Sequence, residues 1–341
     1  MSSIQRGIVL RTYPSGLPVV EDFDCVERPL PLLGAGQVMV ETWYLSMDPA
    51  PRMRMNAAAK PAPMPLGEVV VGRGVGIVLQ SQDASFKAGD VVAGDLSWQE
   101  QSAVAASSLR KVDESLGPVQ LTLGILGPSG IAAWCLVHAA AMVRTGETVV
   151  VTAAAGGVGS VALQLAQLAG ARVIAVVGSA AQARFVREQL GVADVVDHTS
   201  PTLTGDLERA CPQGVSVFLD SVGGPVHNAV MQHIAVHARI IAFGYISAYH
   251  AAPGLQAEYG RIYQLIQRRA VLRGFLVGDY ASQFSEALED LAAHLSAGQL
   301  RNFESCVDGL ENAPRVFTAL FSGEPVGKQM IRLATAKSVR R

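Results

Sequence analysis

The sequence has few of the residues that build disulfide frameworks, structural zinc sites or membrane spans. Its 341 residues include four cysteines that lie far apart, without a C-x-x-C pair: Cys25, Cys135, Cys211 and Cys306. Neither a disulfide framework nor a structural zinc site is therefore expected. No apolar run of about 18 residues or more is free of polar breaks, which predicts that no helix spans a membrane. The first residues lack the apolar region of a signal peptide, so we expect a cytoplasmic protein.

Charge is also scarce. Only 16% of the residues are charged and the net charge is -2, which gives no electrostatic reason to expect nucleic acid or an anionic membrane as a partner. Half of the chain is hydrophobic, so a large core can be buried. The length suggests two domains.

The most informative segment predicts a strand, a glycine turn, a helix and a second strand. Residues 147–152 and 172–177 are strand-like, and 161–168 have the apolar spacing of a helix. The turn between them reads Ala154-x-Gly156-x-x-Gly159, which is the dinucleotide-binding fingerprint with alanine in place of its first glycine.

Each part of this turn has a chemical use. Gly156 lets the backbone approach a pyrophosphate, and Gly159 allows close packing of the helix on the strand. The helix start, with Gly157, Val158 and Ser160, offers free N–H groups and a positive dipole end to the phosphates. The alternative is a tight packing turn without a ligand.

The end of the second strand favours NADP(H) over NAD(H). No carboxylate stands there to bind a ribose 2′-hydroxyl, whereas Ser179 can donate to a 2′-phosphate. Arg184 and Arg187 follow on the next helix, although a solvated helix face is the alternative for both.

The rest of the chain divides into a β-rich part and an alternating part. Residues 1–120 contain strand candidates at 37–45, 69–79 and 90–94, and a long irregular loop at 47–65 that is typical of functional loops. Residues 121–300 alternate, with further strands at 193–196, 215–219, 238–243 and 270–277 and helices at 226–236 and 259–267. We therefore predict an α/β protein with a doubly wound, six-stranded parallel sheet.

The last 40 or so residues contain a helix at 313–321 and an edge-like strand at 328–333. A ligand is expected in a cleft between the two domains.

A set of further segments is typical of one family: 43–49, 52–55, 98–100, 123–127, 153–160, 222–224, 244–249, 273–280, 307–314 and 327–328. On these residues the chain resembles the zinc-independent branch of the medium-chain dehydrogenase/reductase superfamily, which holds prostaglandin reductases, alkenal double-bond reductases and curcumin reductases. Residues 1–120 contain no histidine, and Gly67-Glu68 stands where zinc-dependent relatives have Gly-His-Glu, so no metal site is expected.

The resemblance implies an architecture and an activity. It implies a GroES-like catalytic domain at 1–122, a Rossmann domain at 123–298, and a return to the first domain at 299–341. It also implies NADPH as cofactor, a homodimer, and reduction of the C=C bond of an α,β-unsaturated ketone or aldehyde.

The resemblance also assigns site residues. Tyr249 would point its hydroxyl at the substrate carbonyl, as oxyanion donor and candidate proton source; the alternative is a loop tyrosine that only packs its ring. Phe275 to Val277 would hold the nicotinamide amide, and Val222 and Gly244 would line the cofactor channel. Candidate pocket residues are Tyr44, Met47, Ala50, Arg52, Pro128, Tyr245 and Tyr280. A structural ion pair is the alternative for Arg52.

The chain departs from the family at several positions. Gln182 replaces a phosphate-binding lysine and His198 replaces a tyrosine after the third strand, which weakens the charge-assisted contact to the 2′-phosphate and leaves open the use of both NADPH and NADH. Other departures suggest a reshaped pocket: Ala50-Pro51, Ala132, Ser221 and Pro325-Val326. Two other functions therefore stay open, quinone reduction and NADPH binding without turnover.

Overall fold

The computed structural model of the chain describes residues 4–249 and 262–333. Within these ranges the chain forms two compact units. The first comprises 4–124, 304–321 and 328–333, and the second comprises 125–303 and 322–327.

The strands of the described residues are numbered in chain order. They are β1 Ile4–Leu10, β2 Phe23–Pro29, β3 Gln37–Ser46, β4 Arg73–Ser81, β5 Val91–Asp95, β6 Gln101–Ala105, β7 Leu109–Lys111, β8 Thr148–Val151, β9 Arg172–Val177, β10 Asp194–Asp197, β11 Val215–Asp220, β12 Ile234–Ala242, β13 Val271–Gly274, β14 Glu304–Asp308 and β15 Lys328–Arg332.

The α-helices follow the same convention. They are α1 Pro128–Trp134, α2 Gly159–Leu168, α3 Ala180–Leu190, α4 Leu203–Ala210, α5 Gly224–Val230, α6 Ile262–Arg268, α7 Phe284–Ser296 and α8 Ala313–Ala319. In the described part of the chain, none of them combines the length and the apolar character needed to cross a membrane.

The first unit is built on a mostly antiparallel seven-stranded sheet. The strand order is β14-β15-β3-β4-β5-β7, with β6 paired to β3, and β1 and β2 form a separate antiparallel pair. Its main core contains an aromatic group in which Trp98 lies 5.8 Å from Phe23 and 5.3 Å from Phe317, measured between ring centroids. The contact of Trp98 with Phe317 is edge-to-face, and such contacts add to the free energy gained by burying the rings.

The second unit is a parallel sheet with helices between its strands. The order is β10-β9-β8-β11-β12-β13, so the first strand of the unit lies at the centre and the chain runs outward to each side in turn. Val149, Val150 and Val151 of β8 have no exposed surface, as expected for a strand covered on both faces. This is the Rossmann order, and it confirms the predicted α/β fold with a doubly wound sheet.

Three predictions about individual elements are wrong. The strand predicted at 328–333 is not at an edge, because β15 lies between β3 and β14. The helix predicted at 226–236 ends at Val230, and β12 begins at Ile234, whose side chain is buried and pairs with Val215 of β11. The strand predicted at 270–277 ends at Gly274, because a 3-10 helix begins at Val277.

The sixth strand of the parallel sheet, β13, is exposed rather than buried. All four residues of β13 are exposed, and Val271 exposes 59% of its surface. Of the helix predicted at 259–267, the first three residues lie outside the described ranges, and the rest belongs to α6.

Candidate active site

The loop after β8 forms the predicted glycine turn. Gly156 N–H donates to the carbonyl of Ala153, and Ser160 N–H donates to the carbonyl of Gly156, which leads into α2 at Gly159. A Cβ on Gly159 would lie 2.3 Å from the carbonyl oxygen of Ala153, so the turn itself requires glycine there. A Cβ on Gly156 would lie 3.2 Å from that oxygen, a tight contact that needs a shift of only a few tenths of an ångström.

The two glycines therefore serve different purposes. Gly159 is required by the packing of the helix against the turn. No comparably close contact within the described protein requires glycine at position 156. A glycine that packing does not require, such as Gly156, is typical of a site where a ligand approaches the backbone closely. In the described residues, the N–H groups of Gly157 and Val158 have no backbone or side-chain acceptor, so they can receive phosphate oxygens. These observations fit a dinucleotide pyrophosphate.

The end of β9 uses its polar side chains to hold another part of the same unit. Ser179 Oγ caps α3 by accepting from the N–H of Gln182 and donates to the carbonyl of Gly323 at 3.1 Å. Gln182 Oε1 accepts from the N–H of Gly178 at 3.0 Å, and its Nε2 donates to the carbonyl of Pro325 at 2.9 Å. Ser179, the predicted phosphate donor, and Gln182 are thus both already hydrogen-bonded to the protein.

Three basic side chains lie on the elements that follow. The His198 ring packs over the end of β9, where a Cβ on Gly178 would meet its Nε2 at 2.8 Å. Arg184 and Arg187 are exposed on α3, and Arg187 reaches the carbonyl of Val195 at 3.5 Å. The exposed position of both arginines agrees with a solvated helix face, and it leaves the Arg184 side chain accessible to a phosphate.

Two loops follow the fourth and fifth strands and are bonded to each other. The N–H of Ile246 donates to the carbonyl of Ser221 at 3.0 Å, and the N–H of Ser247 donates to that of Val222 at 3.1 Å. Gly223, with φ of +70°, lies against the Tyr245 ring so closely that a Cβ would come within 1.8 Å of it. The loop at 221–223 therefore supports the loop at 244–249. Gly244 also touches it, since a Cβ there would lie 3.0 Å from the carbonyl oxygen of Ser221.

Tyr249 lies at the end of this supported loop. It closes a 3-10 turn at Ile246–Ala248, with its N–H donating to the carbonyl of Ile246 at 3.3 Å. Burial raises the pKa of Tyr249 above its usual value, against a smaller opposing effect of a hydrogen bond with the Tyr245 backbone. Burial and the charge of Asp220 also raise the pKa of Tyr245. Both phenols are therefore protonated at neutral pH and able to donate a hydrogen bond.

The segment after β13 is anchored beside the loop that follows β12. The N–H of Phe275 donates to the carbonyl of Ala242 at 2.9 Å, and the Phe275 ring stacks on Tyr280 with centroids 5.2 Å apart. The Tyr280 hydroxyl is buried and has no partner among the described residues. Val277 is half-buried at the start of its 3-10 helix, and Pro128 is half-buried at the start of α1.

Most predicted cofactor residues share one edge of the parallel sheet. The fingerprint turn, Ser179, His198, Val222, Gly244 and Phe275 all follow the carboxyl ends of its strands. Ligands of doubly wound folds bind at this edge. The structure thus places these residues along one side of the second unit, together with Tyr249.

Four of the predicted pocket residues belong to the first unit: Tyr44, Met47, Ala50 and Arg52. Burial raises the pKa of Tyr44, which is half-buried in β3, and Ala50 is exposed at the start of a 3-10 helix. Met47 is 2% exposed and packs in the main core of this unit.

Arg52 is buried without a carboxylate partner. Its guanidinium donates to the carbonyls of Met55 at 3.2 Å and Gly16 at 2.6 Å, and no carboxylate lies within 4.0 Å in the described residues. The ion pair considered for Arg52 is therefore wrong. Burial lowers the pKa of Arg52, and the carbonyl dipoles take the place of a counter-ion.

Two hydrogen-bonded polar groups, one partly buried and one fully buried, have no counterpart in the site predicted from the sequence. One is the pair of Asp48 and Lys328 with Ser46, whose hydroxyl lies 2.5 Å from Asp48 Oδ2. The other joins Asp220 to Thr152 and His227 at the carboxyl edge of the parallel sheet. The position of Asp220 directly before Ser221-Val222-Gly223 is the signal that could have revealed the second group.

Comparison with known proteins then identifies the family. Residues 6–112 match a model described as the N-terminal domain of oxidoreductase, and residues 157–293 match one described as zinc-binding dehydrogenase. The chain is 40% identical over 337 residues to a Bacillus subtilis (strain 168) protein provisionally named an NADP-dependent oxidoreductase, covering 98% of this chain and 99% of the relative. It is 34% identical to the NADPH-dependent curcumin reductase of Escherichia coli (strain K12), covering 96% and 97%. The crystal structure of CurA from Vibrio vulnificus in complex with NADPH superposes with a TM-score of 0.90 at 31% identity, covering 96% of this chain and 99% of that one.

The chain belongs to the zinc-independent branch of the medium-chain dehydrogenase/reductase superfamily. This confirms the predicted family, and it makes the protein an oxidoreductase. Within 4–249 and 262–333, no group of three or more histidine, cysteine, aspartate or glutamate side chains is arranged to hold a metal ion.

Proposed function

We propose that this oxidoreductase uses NADPH to reduce the C=C bond of an α,β-unsaturated ketone or aldehyde. The observation that carries the proposal is Tyr249, a tyrosine with a raised pKa that lies on the same sheet edge as the dinucleotide fingerprint. The names of the curcumin reductase and of the NADPH-bound structure support the cofactor and the type of reaction.

The residues of the sheet edge fit an extended dinucleotide. Gly156, Gly157, Val158 and Gly159 would hold the pyrophosphate with backbone N–H groups. Arg184 and His198, with Ser179 and Gln182 behind them, would surround the adenosine 2′-phosphate. The nicotinamide end would lie along Val222, Gly244, Phe275 and Val277, which follow the fourth, fifth and sixth strands. When bound, NADPH supplies a hydride to the β carbon of the substrate.

Tyr249 performs the step that the protein itself controls. Hydride addition moves the π electrons of the C=C bond toward the carbonyl, and negative charge collects on the carbonyl oxygen as an enolate. The Tyr249 hydroxyl donates a hydrogen bond to that oxygen, and a donor placed in advance lowers the energy of the charged transition state. A proton from Tyr249 or from water then reaches the α carbon, which leaves a saturated ketone or aldehyde.

Within the second unit, the substrate would bind beside Tyr249, among Tyr245, Tyr280 and Pro128. Two of the residues predicted to line this pocket are less suited to it. Met47 packs in the core and Arg52 is bonded to backbone carbonyls, so we expect both to support the loop at 47–65 rather than to touch substrate.

The protein is further proposed to form a homodimer. In the described residues, large apolar side chains of α6 and of the segment 271–276 are exposed by 59% to 73%: Tyr263, Ile266, Val271 and Leu276. Exposed apolar patches of this kind are typical of protein interfaces. Light scattering after size-exclusion chromatography measures the mass, and a monomer of 35.8 kDa would contradict this proposal.

The reaction is tested by mixing the purified protein with NADPH and separate enones, alkenals and quinones. Oxidation of NADPH is followed by absorbance, and the products are identified by NMR. An enone product that is saturated at the C=C bond and keeps its carbonyl supports the proposal. Oxidation with quinones alone would assign the protein to quinone reduction. NADPH binding without oxidation by any compound would favour a binding protein without turnover.

A further inference from the structure

The fourth strand of the parallel sheet ends in a fully buried carboxylate. Asp220 Oδ1 accepts from the N–H groups of Val222 and Gly223, both at 3.0 Å, and from the Thr152 hydroxyl at 3.1 Å. Oδ2 bonds to Nδ1 of His227 at 2.9 Å. Asp220 has no exposed surface, and a buried carboxylate with this many donors is fixed in place.

Thr152 extends this arrangement to the central strand. Its Oγ1 accepts from the N–H of Ser221 at 2.9 Å, and its hydroxyl donates to Asp220 Oδ1 at 3.1 Å, a shorter contact than the 3.4 Å to the carbonyl of Leu219. The three consecutive N–H groups of Ser221, Val222 and Gly223 are therefore all held by Asp220 or by its partner. The turn at 221–223 has little freedom to move.

This turn is also the support of the loop that carries Tyr249. The carbonyls of Ser221 and Val222 accept from the N–H groups of Ile246 and Ser247, and Tyr249 closes the turn that these two residues begin. Hydrogen bonds thus run without interruption from the Asp220 carboxylate, through the turn at 221–223, to the backbone of the loop at 244–249.

We propose that Asp220, with Thr152, is a positioning residue that sets the orientation of Tyr249 through the turn at 221–223. The proposal rests on the proposed function, in which Tyr249 donates to the substrate carbonyl. A hydrogen-bond donor must be held in the productive geometry by the residues around it, and a small displacement costs much of its effect.

A simpler role is the capping of a helix. Asp220 accepts from the residues just before α5, which would by itself help this helix to begin. If capping were the only role of Asp220, a substitution of Asp220 would lower activity equally with and without the Tyr249 hydroxyl. The two roles therefore differ in a double-mutant cycle.

The experiment combines Thr152→Val, Asp220→Ala and Asp220→Asn with Tyr249→Phe. Thr152→Val removes the bridge between Asp220 and Ser221 with little change of volume, and Thr148→Val is its matched control, because Thr148 is 7% exposed at the opposite end of the same strand. Asp220→Asn keeps an acceptor at Oδ1 and is expected to restore most of what Asp220→Ala loses. Turnover with an enone at saturating NADPH and the Kd of NADPH are measured for each.

We expect Thr152→Val to lower kcat about tenfold in the protein that has the Tyr249 hydroxyl. In the Tyr249→Phe background, the same substitution should lower kcat less than about twofold. Equal losses in both backgrounds would overturn the positioning role while leaving the proposed function intact. If Tyr249→Phe alone leaves kcat unchanged, the proposed function fails, and the positioning role fails with it.

Amide hydrogen exchange gives a second measurement that needs no substrate. In Thr152→Val the amides of Ile246 and Ser247 should exchange about tenfold faster, while those of β9 keep their rates. Unchanged exchange at Ile246 and Ser247 would overturn the proposal even if Asp220→Ala fails to fold. Faster exchange throughout the sheet would show a general loss of stability and would also count against it.

Discussion

The side-chain amide of Gln182 donates a 2.9 Å hydrogen bond to the carbonyl of Pro325. Its oxygen accepts from the N–H of Gly178 at the end of β9, so both ends of the amide are in use. The family resemblance implies that Gln182 replaces a phosphate-binding lysine. Here the residue links two segments of the second unit, and the charge for a 2′-phosphate must come from elsewhere.

We expect Gln182→Lys to increase the preference for NADPH over NADH by about tenfold, because a charge-assisted contact to phosphate is worth roughly twice a neutral one. The ratio of kcat/KM for the two cofactors measures the preference. Loss of the two amide hydrogen bonds should lower stability by about 1 kcal/mol. The control is Gln189→Lys, which adds the same charge at the other end of α3. An equal change of ratio in both variants would mean that general charge, and not this position, is responsible.

His198 should supply part of the selectivity that Gln182 lacks. Its ring packs over Gly178 at the end of β9, beside the expected place of the 2′-phosphate. We expect His198→Ala to weaken binding of 2′,5′-ADP by about tenfold and to leave 5′-AMP almost unchanged, as measured by calorimetry. Equal weakening for the two nucleotides would assign His198 to the adenine or ribose instead.

Tyr249→Phe tests the proposed oxyanion donor. Loss of one donor of this kind commonly costs about a hundredfold in kcat or more, while the ground-state binding of cofactor is little affected. We therefore expect a large loss of kcat and an unchanged Kd for NADPH, measured by steady-state kinetics and fluorescence titration. Tyr263→Phe removes the hydroxyl of an exposed tyrosine on α6 and should have no effect.

The parallel sheet could be predicted from the sequence because each of its strands has a local signal. Buried parallel strands are short apolar runs, and helices must separate them, so alternation along the chain fixes both the type of sheet and the edge at which ligands bind. The glycine turn then predicts a pyrophosphate site at that edge. None of these steps depends on contacts between distant residues.

The features that the sequence did not predict depend on such contacts. Residues 328–332 have the pattern of a strand, but only the pairing of β14 on one side and β3 on the other makes β15 an interior strand. Asp220 has an ordinary position at the end of a strand, and only the fold brings to it Thr152, which follows β8, and His227 of α5. The Arg52 guanidinium donates to the carbonyl of Gly16, which lies 36 positions away along the chain.

The two glycines of the fingerprint turn should respond differently to alanine. A Cβ on Gly159 meets the Ala153 carbonyl oxygen at 2.3 Å, whereas one on Gly156 lies 3.2 Å from it. We expect Gly159→Ala to lower the melting temperature of the free protein by several degrees, since overpacking costs about 1–3 kcal/mol. Gly156→Ala should have a melting temperature close to that of the unmodified protein, but it should bind NADPH at least about tenfold more weakly. A normal NADPH affinity in Gly156→Ala would argue against pyrophosphate binding at this turn.

The buried thiol of Cys211 should make the folded state less stable in alkali. Burial raises the pKa of Cys211 from 9.0 to about 11, with a smaller upward effect of Asp194 that Arg172 opposes. Above pH 9 the unfolded chain loses this proton while the folded chain keeps it, so stability falls between pH 9 and pH 11. The loss at pH 10.5 relative to pH 8 amounts to about 2 kcal/mol for this group. Urea unfolding at the two pH values measures the fall in the free energy of unfolding. In Cys211→Ala this fall should be smaller than in the unmodified protein by about that amount. Cys25→Ala, which removes an exposed thiol, should change the fall less. An identical fall in Cys211→Ala and the unmodified protein would mean that other groups cause the alkaline loss.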